Sequence, residues 1–270
     1  ISEEPSAGLA ASLVTAEEGI SNMELIASLR KPTGFYDPKN PAMKKAIEED
    51  DEDEVKPIEV ASQGRSPMLS FSNTDMAFRD DVLVAGSYHG FNIYRLAENG
   101  IPSLISSVIC PGGQGDVSIV GDLLIMSVQD TRGRLDCGLQ GVGSEPSPER
   151  FRGIRIFDIS NLEMPMQVGA VQTCRGSHTH SVVSGPDKDG IIVVYNSGTS
   201  SIREDEELAG CFDGPGDTRT ALFRIDVIEI PVDDPSKARI VKSPAVFADE
   251  ETGILAGLWR GGDHGDSTQQ

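Results

Sequence analysis

The stretch "GIRIFDISNLEMPMQVGAV", residues 153–171, reads as one β-strand, a Pro-containing turn and a second β-strand. Upstream, "DVSIVGDLLIMSV", residues 116–128, holds two more strands around a Gly-Asp turn, and an insertion separates the two pairs. The same four-part pattern occurs twice more. "DMAFRDDVLVAGSYHGFNIYRLAENGIPSLISSVICP", residues 75–111, gives it without an insertion. "HSVVSGPDKDGIIVVYNSG" (180–198) followed by "ALFRIDVIEIPVDDPSKARIVKSPAVF" (221–247) gives it around another one. Each copy thus carries strands a, b, c and d, with an Asp- or Gly-containing turn between a and b and a Pro-containing turn between c and d. Four-stranded units in series are blades of a β-propeller, so the sequence predicts an all-β fold with about three blades. Propellers close with about four to eight blades. The expected ring is therefore larger than this sequence and is completed by a continuing chain or by a separate one.

Composition points the same way. With 270 residues and 38% hydrophobic content the chain can bury a sizeable core, and 29 Gly, 16 Pro and only 5% aromatics favour short elements joined by tight turns over long helices. The formal net charge of −20 repels phosphate backbones and anionic lipid, so nucleic acid is not an expected partner. No run of about 18 apolar residues offers a transmembrane segment. The sequence opens on Ile1 with Ser-Glu-Glu-Pro-Ser following, which suits a mature N-terminus left by a removed signal peptide. Neither a G-x-S-x-G elbow, an H-E-x-x-H, a P-loop nor a G-x-G-x-x-G after a strand is present, and the familiar hydrolase, zincin and nucleotide chemistries lose their support.

The segment 153–171 resembles the signature of the LVIVD-repeat β-propellers, in which a strand ending Ile-x-Asp-Ile-Ser leads through an Asn- and Pro-containing turn to Val-Gly. "ALFRIDVIEIP" is a degenerate copy and "FNIYRLAENGIPSLISSV" a weaker one without the Asp-Ile-Ser. The resemblance covers roughly residues 21–266. It implies a secreted or surface bacterial-type propeller and says little about activity, because fold does not fix function. The expected organisation is an N-terminal tail (1–20), an outer strand that helps close the ring (21–30), an acidic insertion (31–70), blades at about 71–110, 111–174 and 175–248, and the start of a further blade at 249–270. The outer strand is read from "SNMELIASLRKP", residues 21–32, which matches strand d of a blade. Within the insertion, Glu48 to Glu54 are seven consecutive acids, a composition that is usually solvated.

In a propeller the d-to-a and b-to-c connections emerge on one face. Residues 31–70 (d to a), 129–152 (b to c) and 198–220 (b to c) then share that face, which becomes the expected surface for a protein or glycan partner. Four cysteines without a C-x-x-C spacing fit two disulfides in an exported, periplasmic or cell-surface protein. Cys110 lies six residues before Asp116 and Cys174 six before His180, while Cys137 and Cys211 both fall in b-to-c insertions. That equivalence favours Cys110 with Cys174 and Cys137 with Cys211.

"GSHTHSVV", residues 176–183, carries the clearest chemistry. Residues two apart on a strand point the same way, so His178 and His180 would chelate one ion if the strand begins at Gly176. The repeat puts Asp75 and Asp116 at the His180 position, and Asp263-His264 would open a further blade. A ring of Asp and His at a channel mouth suits Ca²⁺ where oxygen dominates and Zn²⁺ or Cu²⁺ where imidazole does. His89, in a short b-to-c turn beside Gly90, is a further candidate ligand on the same face; the competing reading for all of these is polar capping of strand ends. Arg132, Arg134 and Arg175 concentrate guanidinium there and would recognise an anionic ligand, unless they pair with local acids such as Asp136 and Glu149. Two functions follow as expectations: an extracellular binding or scaffold protein, and alternatively a metal-dependent enzyme built on His178, His180, Asp116 and either His89 or His264.

Overall fold

A computed structural model describes residues 19–35, 72–129, 132–143, 145–212 and 220–246. Among these residues twelve strands run in order: β1 (Asn73–Arg79), β2 (Val82–Ser87), β3 (Gly90–Leu96), β4 (Pro102–Ile109), β5 (Gln114–Val120), β6 (Leu123–Val128), β7 (Gly153–Asp158), β8 (Met166–Gln172), β9 (Thr179–Ser184), β10 (Ile191–Ser197), β11 (Asp226–Pro231) and β12 (Arg239–Lys242). They form three four-stranded antiparallel sheets, β1–β4, β5–β8 and β9–β12, each pairing its strands in chain order. Among the described residues there is no α-helix, and only a single 3₁₀ turn, Pro235–Lys237, interrupts the β structure. The fold is therefore all-β and blade-like, as the repeated four-strand pattern predicts. Residues 1–18 of the expected tail (1–20), residues 36–70 of the acidic insertion (31–70) and the whole expected start of a further blade (249–270) lie outside the described residues.

The period-2 alternation of a strand decides how the sheets stack. In the second sheet Leu124, Met126 and Phe157 point toward the first sheet, where they meet Val82, Val84, Phe91 and Ile93. Leu123, Ile125, Ile154 and Ile156, the alternate positions, point toward the third sheet and meet Ile192, Val194, Ile228 and Ile230. Phe91 and Phe157 close the first contact edge to face, with ring centroids 5.0 Å apart. β6 is consequently apolar at nearly every position, the mark of a strand covered on both faces. Among the described residues the outer sheets are covered on one face only: in β1, Ala77 packs inward while Met76 and Phe78 are each 59% exposed.

Where β2 meets β5, backbone contacts replace side-chain packing. Gly86 of β2 and Gly115 of β5 approach so closely that a Cβ on Gly86 would strike the Gly115 carbonyl and a Cβ on Gly115 the Ser87 carbonyl. Gly115 also has φ +67°, a left-handed conformation that glycine adopts without strain.

Both disulfides join a linker that follows one sheet to the b-to-c insertion of the next. The bonds are Cys110–Cys137 and Cys174–Cys211, with Cα–Cα distances of 4.5 and 5.3 Å. The expected pairing of Cys110 with Cys174 and Cys137 with Cys211 is thus corrected. Each blade-equivalent cysteine bonds within its own repeat step, where the insertion folds back over the preceding linker, and not across to its equivalent. The bonds close loops of 27 and 37 residues, for which chain-entropy arguments give about 3.5 to 4 kcal/mol each.

Residues 21–30, expected as an outer closing strand, belong to none of the three sheets. No helix among the described residues is long and apolar enough to cross a membrane. Packing of the second sheet on both sides predicts an asymmetry measurable in urea. Ile156→Ala should cost about 2 to 4 kcal/mol, whereas Met76→Ala on the open face of this chain should change stability by no more than about 0.5 kcal/mol.

Candidate functional site

Successive sheets are clasped at the start of their first strands by carboxylates. Asp75 of β1 accepts the Val117 N–H of β5 at 3.1 Å, and Asp116 of β5 accepts the His180 N–H of β9 at 2.8 Å. The second clasp carries more chemistry. Asp116 Oδ2 also lies 2.8 Å from His180 Nδ1, Ser127 Oγ lies 2.9 Å from the same nitrogen and 3.3 Å from the carboxylate, and Ser177 Oγ is 2.7 Å from Ser127 Oγ. Burial pushes the Asp116 pKa up, but the hydrogen bond and charge of His180, its backbone N–H and the Ser127 hydroxyl outweigh burial and hold it below the ordinary carboxylate value. Nδ1 is thus the ring nitrogen that donates to Asp116. The His180 side chain is fully buried and its Nε2 has no hydrogen-bond partner among the described residues.

His178 stands beside this cluster in a separate polar shell: its Nδ1 is 2.9 Å from Gln129 Oε1, 3.0 Å from Gln114 Nε2 and 3.1 Å from Thr199 Oγ1. Gln114 belongs to β5, Gln129 follows β6 and Thr199 follows β10, so His178 is held by both sheets and by both insertions. His89 is placed differently. It is buried in the β2–β3 turn, edge-on to Phe35 with ring centroids 5.9 Å apart, and burial lowers its pKa. His264 lies outside the described residues. Among the described residues no group of three or more His, Cys, Asp or Glu is arranged to hold a metal ion.

The arginines expected to meet an anionic ligand are engaged by residues of the surrounding loops. Arg134 grips Asp136 with Nε and Nη2 at 2.7 and 2.9 Å and reaches Glu149 with Nη1 at 2.6 Å. These hydrogen bonds raise the Arg134 pKa and lower that of Asp136. Arg175 donates to the Ser200 and Thr199 carbonyls at 2.8 and 3.2 Å, and Arg132 packs over Gly141. A guanidinium already forked onto a carboxylate or onto carbonyls has few donors left for a ligand, so Arg134 and Arg175 act as braces in this structure.

Further charged residues build the same region. Glu207 is buried in the third sheet's insertion and takes Arg150 Nη1 at 2.8 Å, Arg203 Nε at 2.5 Å and the Ser147 N–H at 3.0 Å. It thereby ties the two b-to-c insertions to one another. Arg155 of β7 is fully buried, stacked 4.1 Å over Phe151, and donates to Gln167 and to the Arg134 and Leu135 carbonyls. Burial lowers its pKa to about 10. The i,i+4 spacing of Arg203 and Glu207 was the one signal in the sequence for this network.

No family model and no curated protein sequence matches the chain. Solved structures with partial likeness include the computationally designed protein Ika4 (11% identity, 63% of this chain and 92% of that one, TM-score 0.25). A protein from Lactobacillus plantarum (10%, 66% and 72%, TM-score 0.22) and a functionally unknown protein from Desulfotomaculum acetoxidans DSM 771 (16%, 65% and 72%, TM-score 0.20) are others. Likeness this low assigns neither fold family nor function.

The Asp116 clasp makes stability pH-dependent. Because the folded pKa is depressed, the carboxylate's contribution is present above the unfolded Asp value of about 4 and is lost as pH falls through the folded one. Asp116→Ala should therefore cost about 1 to 3 kcal/mol at pH 7 by leaving buried donors unmet, and the difference from the parent chain should shrink as urea titrations are repeated below pH about 4.

Proposed function

We propose that the three sheets are consecutive blades of an extracellular, LVIVD-like β-propeller that binds a protein or glycan through its insertion-bearing face. The observation that carries this reading is the construction of that face. Both b-to-c insertions are fastened by a disulfide and joined to each other through Glu207, so the loops are pre-shaped and not merely long. Pre-shaped loops on a rigid scaffold bind with little ordering cost. The braced insertion of the second sheet presents Leu135 and Leu139, 46% and 57% exposed, beside Arg134, whose charge is met by Asp136 and Glu149. A disulfide-stapled chain suits an oxidising compartment, which supports a secreted, periplasmic or surface location. The test is retention on arrays of extracellular proteins and glycans: Leu135→Asp with Leu139→Asp should abolish binding while the thermal midpoint stays unchanged. Equal retention by parent and variant would sink the reading.

A second reading, a metal-dependent enzyme at the inner strand ends, is favoured by one observation: a carboxylate takes His180 Nδ1, as metal-bound histidines are commonly held, and the buried Nε2 meets no partner among the described residues. His180 would be the ligand, supported by Asp116, with His178 beside it and Ca²⁺, Zn²⁺ or Cu²⁺ as the candidate ion. Elemental analysis of the purified protein should then show stoichiometric metal that His180→Ala removes. Metal content independent of His180, or none, excludes this alternative.

A further inference from the structure

We infer that the Cys174–Cys211 bridge is a thiol-exchange site: a small thiol without net negative charge attacks Cys211 Sγ and stays there as a mixed disulfide, while Cys174 Sγ leaves as a thiolate beside the Arg224 guanidinium. The inference is independent of what the insertion-bearing face binds. It adds a modification site to one of the loops that build that face.

The two bridges are placed differently. Cys110 is 1% exposed and belongs to the apolar core shared by the first and second sheets, with Val128 and Phe151. Cys211, 6% exposed, lines a surface cleft of about 400 Å³ together with Asp205, Gly210 and Phe212. Ala221, Ile202 and Leu208 pack around the two half-cystines. A cleft of that volume takes a thiol of a few heavy atoms. Of the two sulfurs, the one on Cys211 is therefore the one such a thiol meets.

Arg224 favours departure of the other sulfur. Its Nη2 stands 3.0 Å from Cys174 Sγ. Its Nε meets Asp226 Oδ1 at 3.2 Å, and that carboxylate accepts Ser243 Oγ at 2.6 Å, so Asp226 aims the guanidinium and leaves Nη2 to the sulfur. A disulfide sulfur is a weak acceptor, whereas a departing thiolate is a full charge at hydrogen-bond distance from a cation. Thiolates beside arginine are stabilised, and a more stable leaving thiolate speeds exchange. The cleft sets the charge of the attacker. Asp205, whose Oδ1 accepts the Gly210 N–H at 2.7 Å, stands in it, and the chain carries a net −20, so an anionic thiol is repelled and an aminothiol is not. In the step, the incoming thiolate forms an S–S bond to Cys211 and the old bond breaks with its electron pair on Cys174; the incoming sulfur is oxidised and Cys174 is reduced. The insertion of the third sheet then loses its covalent tie to the preceding linker and is held by Glu207 with Arg150 and Arg203.

The test treats the folded, fully oxidised chain with cysteamine, quenches with acid, alkylates free thiols and maps peptides by mass spectrometry without further reduction. Cys211 should carry cysteamine and Cys174 the alkyl label while Cys110–Cys137 is still intact. Arg224→Gln should slow the opening about tenfold, and Arg224→Lys should keep most of the parent rate. Because Arg224→Gln also removes a loop contact and a loosened loop opens faster, a second measurement isolates the charge: the rate of Cys174 alkylation against pH, in protein already capped at Cys211. Its midpoint should lie below the ordinary thiol value of about 8.5 in the parent and return toward it in Arg224→Gln. Cysteamine on Cys174 with Cys211 free, earlier opening of Cys110–Cys137, or a parent midpoint at or above the ordinary value overturns the inference.

Discussion

Covering a sheet on both faces requires its strands to be apolar at successive positions, and the second sheet meets that requirement. Leu123 and Ile125 serve one interface while Leu124 and Met126 serve the other, and a shift of one residue in the register of β6 would exchange the two sets. The order of the three sheets follows from this double coverage. The clasps at the strand starts follow in turn, because only sheets stacked at that spacing bring Asp75 to the Val117 N–H and Asp116 to the His180 N–H. The close approach of Gly86 and Gly115 belongs to the same end of the stack and leaves no room for a side chain there.

The polar cluster and the braced loops share that origin. Insertions leave the sheets between b and c, beside the strand starts, so the residues around His178 and His180 are furnished by strands and insertions together. Charge is handled locally despite the net −20: Glu207 is enclosed by Arg150 and Arg203, and Asp136 and Glu149 share Arg134. Removing one member of a buried group of this kind leaves an uncompensated charge, a change that typically costs about 3 to 5 kcal/mol. Such networks hold a loop in one shape more effectively than they add net stability.

Particular residues show where reading from sequence succeeds and stops. The strands of each sheet were legible because Gly-Asp, Asp-Gly and Pro turns punctuate runs with period-2 alternation. The partnership of Asp116 with the His180 strand was legible as an equivalence of positions, though not as a contact. Arg155 was not legible: in "GIRIFDIS" an arginine between isoleucines reads as the solvent side of a strand, yet that side faces the first sheet and the guanidinium is satisfied by carbonyls of an insertion. The cysteine pairing failed for a similar reason. Blade equivalence states which positions repeat, whereas a disulfide needs Cα atoms within about 7 Å, and that proximity is set by how each insertion folds back.

The sequence alone determined the all-β class, the four-strand unit and its three occurrences, the location of the long insertions and the histidine pair worth testing. These depend on local turn chemistry and strand periodicity, which act over a few residues. The tertiary structure alone decided which cysteines bond, which arginines brace loops, that His180 is held on Nδ1 with its buried Nε2 meeting no partner among the described residues, and that residues 21–30 belong to none of the three sheets. Each of those outcomes depends on distances between segments tens of residues apart, fixed only once the sheets stack and the insertions close over their ends.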